Sequence, residues 1–285
     1  MFPFASRLLG ICLLIGAISS THADEPLLRP GDTLALVGGT FVERMQSTSA
    51  LEDELYCRQP EWKLRVRNLG WSGDDVHGFA RKVFDTNAQR GFERLLNDLK
   101  IAKPTVVLVA YGFAESSNGP AATDAFDPGL RKLVSAVKEM NCRVILMPPF
   151  MLPGVRTPGY AEQIARCGEV VNRVASETES SVVTAKCDQW TDDGLAPNDV
   201  GYDSIGEQLA SQLVGGSPCE VDEIAKRLII EKNELFFHRH RPQNETYLML
   251  FRKHEQGNNV VELPQFDPLI DSLEQRIWGL AGGKK

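Results

Sequence analysis

The stretch Thr33–Met45, "TLALVGGTFVERM", has the pattern of a buried strand that runs into a helix. Its apolar run ends at Gly38-Gly39, and a hydroxyl residue, Thr40, follows the two glycines before a charged, helix-like segment begins. Many hydrolases place their nucleophile at such a turn, where the residue is usually Ser. The stretch therefore raises the hypothesis that Thr40 is a nucleophile, or a replacement for one.

The same pattern recurs along the chain, because β-branched apolar runs alternate with segments of helical periodicity. Strands are predicted at 33–38, 64–67, 105–110, 143–148 and 181–185. Helices are predicted at 41–56, 90–101, 127–140, 159–178 and 199–214. The runs are almost continuously apolar, as is typical of strands that are covered on both faces. The alternation predicts a three-layer α/β/α sandwich around a five-stranded parallel sheet, with functional residues beyond the carboxyl ends of the strands.

The first 23 residues have the pattern of a signal peptide. Arg7 precedes an apolar stretch at 8–18, and small residues ending at Ala23 resemble a cleavage site. An uncleaved anchor is the alternative, although the apolar stretch is short for a membrane span. We expect an exported protein, periplasmic or secreted, whose mature chain starts near Asp24. The predicted organisation is a signal peptide at 1–23, a sandwich domain at 24–216 and a C-terminal helical extension at 217–285.

Composition limits the classes of partner. Of the 285 residues, 42% are hydrophobic and 24% charged, as in ordinary globular proteins, and the formal net charge is −7. This charge argues against a general nucleic-acid binder. We expect no stable membrane span after cleavage, and the sequence identifies no protein partner. Five cysteines follow Cys12, and we interpret them mainly as small buried residues with at most two disulfides.

The loops after the first three predicted strands and before the last sandwich helix carry a resemblance to a known family. They read "GGTFVER" at 38–44, "NLGWSGD" at 68–74, "GFAE" at 112–115 and "DGLAPNDVGY" at 193–202. In this order they resemble the four catalytic blocks of the SGNH (GDSL) hydrolases, and the resemblance covers roughly residues 30–215. It implies the flavodoxin-like SGNH fold and an ester hydrolase, acting on acylated carbohydrate in one interpretation.

Carried over block by block, the resemblance gives each position a role. Thr40 stands where the nucleophilic Ser would be, Gly70 is placed as an oxyanion donor, and Asp193 is retained. Ala114 replaces the oxyanion Asn, and Ala196 replaces the His that activates the nucleophile. Losing an oxyanion donor costs about 10²–10³ in rate, and losing the triad base costs about 10⁶. We therefore expect weak or lost activity.

Structural roles are the alternative for each surviving block residue. Thr40 is a suitable helix cap, Gly70 suits a tight turn, and Asp193 begins an Asp-Gly turn. Two histidines are candidate replacement bases: His77, a few residues after the second block, and His238 in the extension.

The extension is predicted to contain a helix at 220–240, a turn at Pro242, an aromatic stretch and a helix at 267–280. Its mixture of His, Arg, Asn and aromatic residues is typical of a carbohydrate or anion site, or of an aromatic clamp onto the sandwich. The sequence predicts no cofactor, and no metal site is expected because the His238-x-His240 pair lacks further ligands.

Three functional hypotheses remain from the sequence. The first is an exported ester hydrolase that uses Thr40 and a non-standard base. The second is a pseudoenzyme whose cleft binds a glycan or another small ligand without cleaving it. The third is a structural partner in an exported assembly, with the extension as its interface.

Overall fold

The structure is a computed structural model, and it describes residues 25–87, 89–219, 222–248, 251–255 and 259–282. The predicted signal peptide lies outside the described residues. The strands are β1 Thr33–Gly38, β2 Arg65–Asn68, β3 Val106–Ala110, β4 Arg143–Leu146 and β5 Ser181–Val182. They form one parallel sheet in the order β2-β1-β3-β4-β5, which confirms the predicted flavodoxin-like sheet.

Helices cover the sheet as predicted, and a C-terminal helical part is also present. The helices are α1 Thr40–Arg44, α2 Ala50–Arg58, α3 Gln89–Ala102, α4 Phe113–Ser117, α5 Pro120–Glu139, α6 Tyr160–Glu177, α7 Asp199–Val214, α8 Glu223–His240, α9 Glu245–Leu248 and α10 Phe266–Gly282. Alternate residues of the strands point into two separate apolar cores, as a sheet covered on both faces requires. Leu34, Leu36 and Leu108 lie in one core, and Val37 and Val107 lie in the other.

The helix predicted over 41–56 is interrupted. α1 ends at Arg44, a short 3₁₀ turn covers Met45–Ser47, and α2 starts only at Ala50. The hydroxyl of Ser47 donates to the Arg44 carbonyl, and the hydroxyl of Thr48 donates to the Met45 carbonyl. Such local side-chain bonds compete with the helical ladder, which explains the break.

The last strand is shorter than predicted. After Val182, the backbone forms hydrogen bonds with side chains of α7 instead of continuing a strand ladder. Beyond Val182, Gln212 accepts a hydrogen bond from the Thr184 N–H and donates to the Thr184 carbonyl, at 2.9 and 2.7 Å. Gln208 makes the same pair of bonds to Lys186. Two α7 glutamines thus satisfy the backbone at this exposed edge, which blunts it against pairing with another strand.

The C-terminal helices are held to the sandwich by buried ion pairs. Lys232 of α8 pairs with Glu52 of α2, and Glu274 of α10 pairs with Arg67 of β2 at 2.5 Å. The Trp278 indole N–H donates to the Leu64 carbonyl at 3.1 Å. The C-terminal helices therefore pack against α2 and β2 through charge pairs as well as apolar contacts.

One disulfide, Cys57–Cys219, joins α2 to the segment that leads into α8. Cys142 and Cys167 are free and buried, and Cys187 is free and half-buried. These positions fit the prediction of mainly small buried cysteines with at most two disulfides. Across the described ranges, helices long and apolar enough to cross a bilayer are absent.

Candidate active site

Thr40 lies at the carboxyl end of β1, on the wall of a cavity. Its hydroxyl oxygen accepts a hydrogen bond from the Gly73 N–H at 3.0 Å. Gly39 occupies the N-cap position of α1, and Thr40 is the first helical residue. The alternative role of Thr40 as the helix cap is therefore wrong: its hydroxyl engages the second block.

The turn before Thr40 needs both glycines. A Cβ added at Gly38 would lie 2.6 Å from the Ala110 carbonyl oxygen, and one at Gly39 would lie 2.8 Å from the Asp74 carbonyl oxygen. Neither contact is tolerated by a side chain, so β1, β3 and the second-block loop meet closely because of Gly38-Gly39. This close approach places the Thr40 hydroxyl against the loop.

In the second block, the N–H of Gly73, and not that of Gly70, forms a hydrogen bond with the Thr40 hydroxyl. The Gly70 N–H donates to the Asn68 side-chain oxygen at 2.9 Å, and the Asn68 amide in turn donates to the Val42 carbonyl at 2.6 Å. A Cβ on Gly70 would lie 2.3 Å from the Glu43 nitrogen, so Gly70 serves close packing against α1. The N–H that reaches Thr40 belongs to Gly73, whose φ is +74°. The Ser-Gly-Asp sequence indicates a tight turn at Gly73, but it does not predict the hydrogen bond to Thr40.

The third block is tied to the second by a buried carboxylate. Glu115 accepts hydrogen bonds from the Gly112 N–H and the Val76 N–H, both at 2.8 Å. Burial raises the pKa of Glu115 to about 7, although these backbone donors oppose the rise. Ala114, one residue earlier on α4, lines the same cavity as Thr40. The block thus offers a methyl group to the cavity at the position where the resemblance implies an amide.

The fourth block has the geometry of a turn. Asp193 accepts hydrogen bonds from the Thr191 hydroxyl at 2.7 Å and from the Leu195 N–H at 2.9 Å. These bonds, the Thr191 bond first, lower its pKa. Ala196 is fully buried, and its carbonyl accepts from the N–H and hydroxyl of Thr191. In the structure, the Asp193 side chain stabilises a turn, which was the alternative role predicted for it.

The two histidines proposed as replacement bases lie elsewhere. His77 is exposed, and its Nε2 is 3.1 Å from the Ala125 carbonyl on α5. His238 lies on α8, 4.0 Å from Glu234. Neither lines the cavity beside Thr40, and no other histidine in the described part of the chain lines it. The structure therefore brings neither residue to the Thr40 hydroxyl.

The cavity beside Thr40 has a volume of about 290 Å³ and mainly apolar walls. Phe41 packs against Phe113 and Phe150 with ring centres 5.3 Å apart in each case, and this aromatic group supports one side. The apolar lining residues are Phe41, Ala110, Phe113, Ala114, Leu152, Val155 and Leu195. The polar groups among the lining residues include Thr40, Ser72, Ser117 and Arg44. Such a surface suits a small ligand with an apolar acyl part and a few polar atoms.

The extension contacts the first and second blocks beside this site. Arg241, just after α8, lies 3.2 Å from a Glu43 carboxylate oxygen and 3.9 Å from the centre of the Trp71 ring. Glu43 also accepts a hydrogen bond from the Ser72 N–H. The first block, the second block and the extension are thus joined through one carboxylate. Within the described residues, no cluster of three or more His, Cys, Asp or Glu side chains is arranged to hold a metal ion.

Comparison with solved structures shows that the fold is shared with known hydrolases. LAE5, an alpha/beta hydrolase enzyme from the metagenome of Lake Arreo, Spain, has 19% identity and a TM-score of 0.55, over 67% of this chain and 100% of its own. Axe2, an acetylxylan esterase from Geobacillus stearothermophilus, has 19% identity and a TM-score of 0.52, over 66% of this chain and 96% of its own. At these identities the likeness establishes the fold alone. No curated protein matches the chain.

The family itself is established by the sequence of the sandwich. Residues 37–204, well over half of the chain, match the model of the GDSL-like Lipase/Acylhydrolase family. The matched range contains all four blocks, with the turn that carries Thr40 at its start and the buried Ala196 near its end. The predicted resemblance is therefore confirmed, and the chain belongs to the GDSL-like lipase/acylhydrolase family.

Proposed function

We propose that the chain is a pseudoenzyme of its family: it binds a small ester-bearing ligand in the cavity beside Thr40 and hydrolyses it weakly or not at all. The observation that carries the proposal is the surroundings of the Thr40 hydroxyl. A Gly73 N–H lies beside it, but no imidazole among the described residues lines the cavity. A hydroxyl needs an adjacent base to attack a carbonyl at neutral pH.

Both the retained and the replaced groups support binding over turnover. The apolar walls of the cavity remain available for an acyl group, whereas the Gly73 N–H is already bonded to the Thr40 hydroxyl. The groups at 114 and 196 are methyls, which neither donate a hydrogen bond to an oxyanion nor accept a proton. By analogy with triad removal, the missing base alone reduces the rate by about 10⁶. The sandwich shares its fold with an acetylxylan esterase, so acetylated xylooligosaccharide is the first ligand to test.

The test measures hydrolysis of p-nitrophenyl acetate and binding of acetylated xylooligosaccharide by calorimetry. We expect native protein to hydrolyse the ester barely above buffer, Thr40→Ala to change this little, and the saccharide to bind. Deacetylated xylooligosaccharide is the ligand control and should bind more weakly. Robust turnover by native protein that Thr40→Ala abolishes would instead assign an active ester hydrolase. Lack of binding would contradict the role of the cavity.

A restored catalytic set provides the second test. The variant Thr40→Ser/Ala114→Asn/Ala196→His should gain measurable esterase activity, because it returns a nucleophile, an oxyanion donor and a base to positions on one retained backbone. The matched control carries Ala at 40 with the other two changes and should have no gain. Because Ala196 is fully buried, the melting temperature of both variants is measured first. A folded triple variant as inactive as its control contradicts the assignment of these positions.

We also propose that the chain is exported after cleavage near Ala23. The support is the charge and apolar pattern of residues 1–23. Mass spectrometry of protein recovered from the periplasm or medium should give an N-terminus near Asp24. An exported product that retains Met1 would contradict cleavage.

A further inference from the structure

A second and larger cavity lies beyond the Thr40 site. It has a volume of about 480 Å³ and lies between α3, the 3₁₀ turn Ala80–Lys82 and the end of α8. It shares no lining residue with the cavity beside Thr40. Its size is in the range of small-ligand sites.

The lining of this cavity is strongly basic, although the whole chain carries a formal charge of −7. Its five cationic residues are Arg81, Lys82, Arg90, Arg94 and Arg239, against the two carboxylates of Asp85 and Asp98. Of these cations, Arg81 is paired with Asp74 and Arg239 with Asp267, two carboxylates outside the lining. The pairs that Arg90 makes with Asp85 and Glu93 are solvent-exposed, so they contribute little and compete weakly with a ligand. A cluster of this kind concentrates anions at one place on an acidic protein.

Three guanidinium groups are held around one indole, and two of them, those of Arg81 and Arg94, belong to residues that line the cavity. Arg81, Arg94 and Arg241 lie 5.4, 4.5 and 3.9 Å from the centre of the Trp71 ring. Burial lowers the pKa of Arg241, and the positive charges of Arg81 and Arg94 act in the same direction. The like charges are therefore close enough to repel one another, and a bound anion relieves that repulsion.

His240 adds an uncharged polar group to the wall. Its side chain is 4% exposed, and its Nδ1 lies 2.8 Å from the Phe236 carbonyl. A carbonyl only accepts, so Nδ1 carries the proton; burial lowers the pKa of His240 to about 3, so the ring is neutral. Nε2 is then an acceptor, and it is buried without a hydrogen-bond partner among the described residues. A buried acceptor without a donor is costly, and a ligand hydroxyl supplies that donor.

The rim of the cavity is aromatic. Phe84 and Phe251 both line it and are 72% and 70% exposed. Exposed rings at a cavity mouth offer flat apolar faces to the C–H surface of a sugar. Between the rim and the arginines lies Val83, with a φ of +53°. This conformation is strained for a β-branched residue, and such strain concentrates at functional sites.

We propose that this cavity binds an acidic saccharide, with its carboxylate or sulfate group on Arg94 and Lys82, a hydroxyl on His240 and a sugar face on Phe84. The site differs from the Thr40 cavity in place and in ligand chemistry, so the proposal stands apart from the proposed function. Asn97, which also lines the cavity, offers further hydrogen bonds to sugar hydroxyls.

Calorimetry on the full chain tests the site with four probes: trigalacturonate, a sulfated chondroitin disaccharide, neutral xylotriose and inorganic sulfate. We expect at least one acidic saccharide to bind at least tenfold more tightly than both xylotriose and sulfate. Its affinity should fall with salt, because charged contacts are screened.

Variants locate the binding. Lys82→Gln/Arg94→Gln should lower the affinity for the acidic saccharide at least tenfold. The charge-matched control Lys138→Gln/Arg166→Gln alters exposed cations on α5 and α6 and should leave it unchanged. His240→Phe retains a ring but removes the acceptor. It should therefore lower the affinity for the acidic saccharide and leave the affinity for sulfate unaltered.

The proposal is overturned if neither acidic saccharide binds. It is also overturned if both double variants show the same loss of affinity for the acidic saccharide. Equal binding of sulfate and saccharide would reduce the site to an anion site and contradict its saccharide character. Equal binding of xylotriose would contradict the role of the arginines.

Discussion

Asp74 and Arg81 form a buried ion pair that separates the two cavities. Arg81 Nε lies 2.6 Å from Asp74 Oδ2, and the same oxygen accepts a hydrogen bond from the Tyr111 hydroxyl at 2.8 Å. Asp74 lines the cavity beside Thr40, whereas Arg81 lines the basic cavity. The wall between the two cavities is therefore a charged contact with both side chains removed from water.

Loss of one partner of this pair should destabilise the protein strongly. Arg81→Met leaves Asp74 buried without its cation, and we expect the free energy of unfolding to fall by about 3–5 kcal/mol. Urea denaturation measures the change. The control Arg90→Met breaks only exposed pairs and should cost less than about 1 kcal/mol. Equal losses in the two variants would show that the buried pair contributes no more than a surface one.

The two glycines of the second block should respond differently to the same substitution. Gly70→Ala places a Cβ 2.3 Å from the Glu43 nitrogen, so the first and second blocks must move apart. In Gly73→Ala the added Cβ has no other atom within 4 Å. The loss of stability is then limited to the cost of a positive φ at a non-glycine residue, about 1–2 kcal/mol. Thermal unfolding should show the larger loss for Gly70→Ala. A Gly73→Ala variant that melts at the lower temperature would contradict this packing.

Asp53 should make a contribution to stability that decreases as the pH rises from about 4 to 7, whereas His240, whose pKa burial lowers from 6.5 to about 3, makes one that increases with pH between those two values. Burial raises the pKa of Asp53 from 3.8 to about 7, so the folded state binds more protons than the unfolded state in that window. A single such group gives a slope of at most about 1.4 kcal/mol per pH unit. Glu115, whose pKa burial also raises to about 7, acts in the same direction.

Asp53→Asn tests this pH dependence directly. The variant should lose the falling contribution of Asp53 to the pH dependence, and it should be more stable than native protein at pH 8, since an amide has no charge to bury. Urea unfolding at pH 4.5, 6 and 8 measures the effect. The exposed Asp271→Asn is the control and should leave the slope unchanged. A variant less stable than native protein at pH 8 would contradict the role of Asp53.

The Cys57–Cys219 disulfide should contribute to stability because it closes a long loop around the sandwich. The two cysteines are 162 residues apart in sequence, and closing such a loop is worth about 2–5 kcal/mol. Cys57→Ser/Cys219→Ser should lose this amount in urea unfolding, and the free Cys187→Ser should lose little. Alkylation of denatured, unreduced protein should label Cys142, Cys167 and Cys187 but neither Cys57 nor Cys219.

The regular part of the fold was predictable because its signals are local and periodic. The run at 105–110 predicted β3 within one residue, and the pattern at 199–214 predicted α7 without error. The sequence predicts the start of α5 at 127, but the helix begins at Pro120; Pro128 has the pattern of a helix start although it lies inside the helix. The sequence does not predict α4, because a helix of five residues is too short to show a helical period.

The site was less predictable because its contacts are between distant segments. The four blocks predict that Thr40 and Ala114 lie close together, and both line one cavity, while the resemblance implies Gly70 as the oxyanion donor. Only the packed structure shows that Asn68 occupies the Gly70 N–H. The contact of Arg241 with Trp71 joins residues far apart in sequence and has no periodic signal.

The anchoring of the extension has a consequence for how this chain can evolve. A premature stop before α10 would remove Glu274 and leave Arg67, on the edge strand β2, without its carboxylate; loss of α8 as well would leave Glu52 without Lys232. The sandwich would have to change Arg67 and Glu52 to neutral residues before such a truncation became harmless. The C-terminal helices are thus difficult to shed by stepwise mutation, and descendants of this chain should keep them even where the Thr40 site drifts.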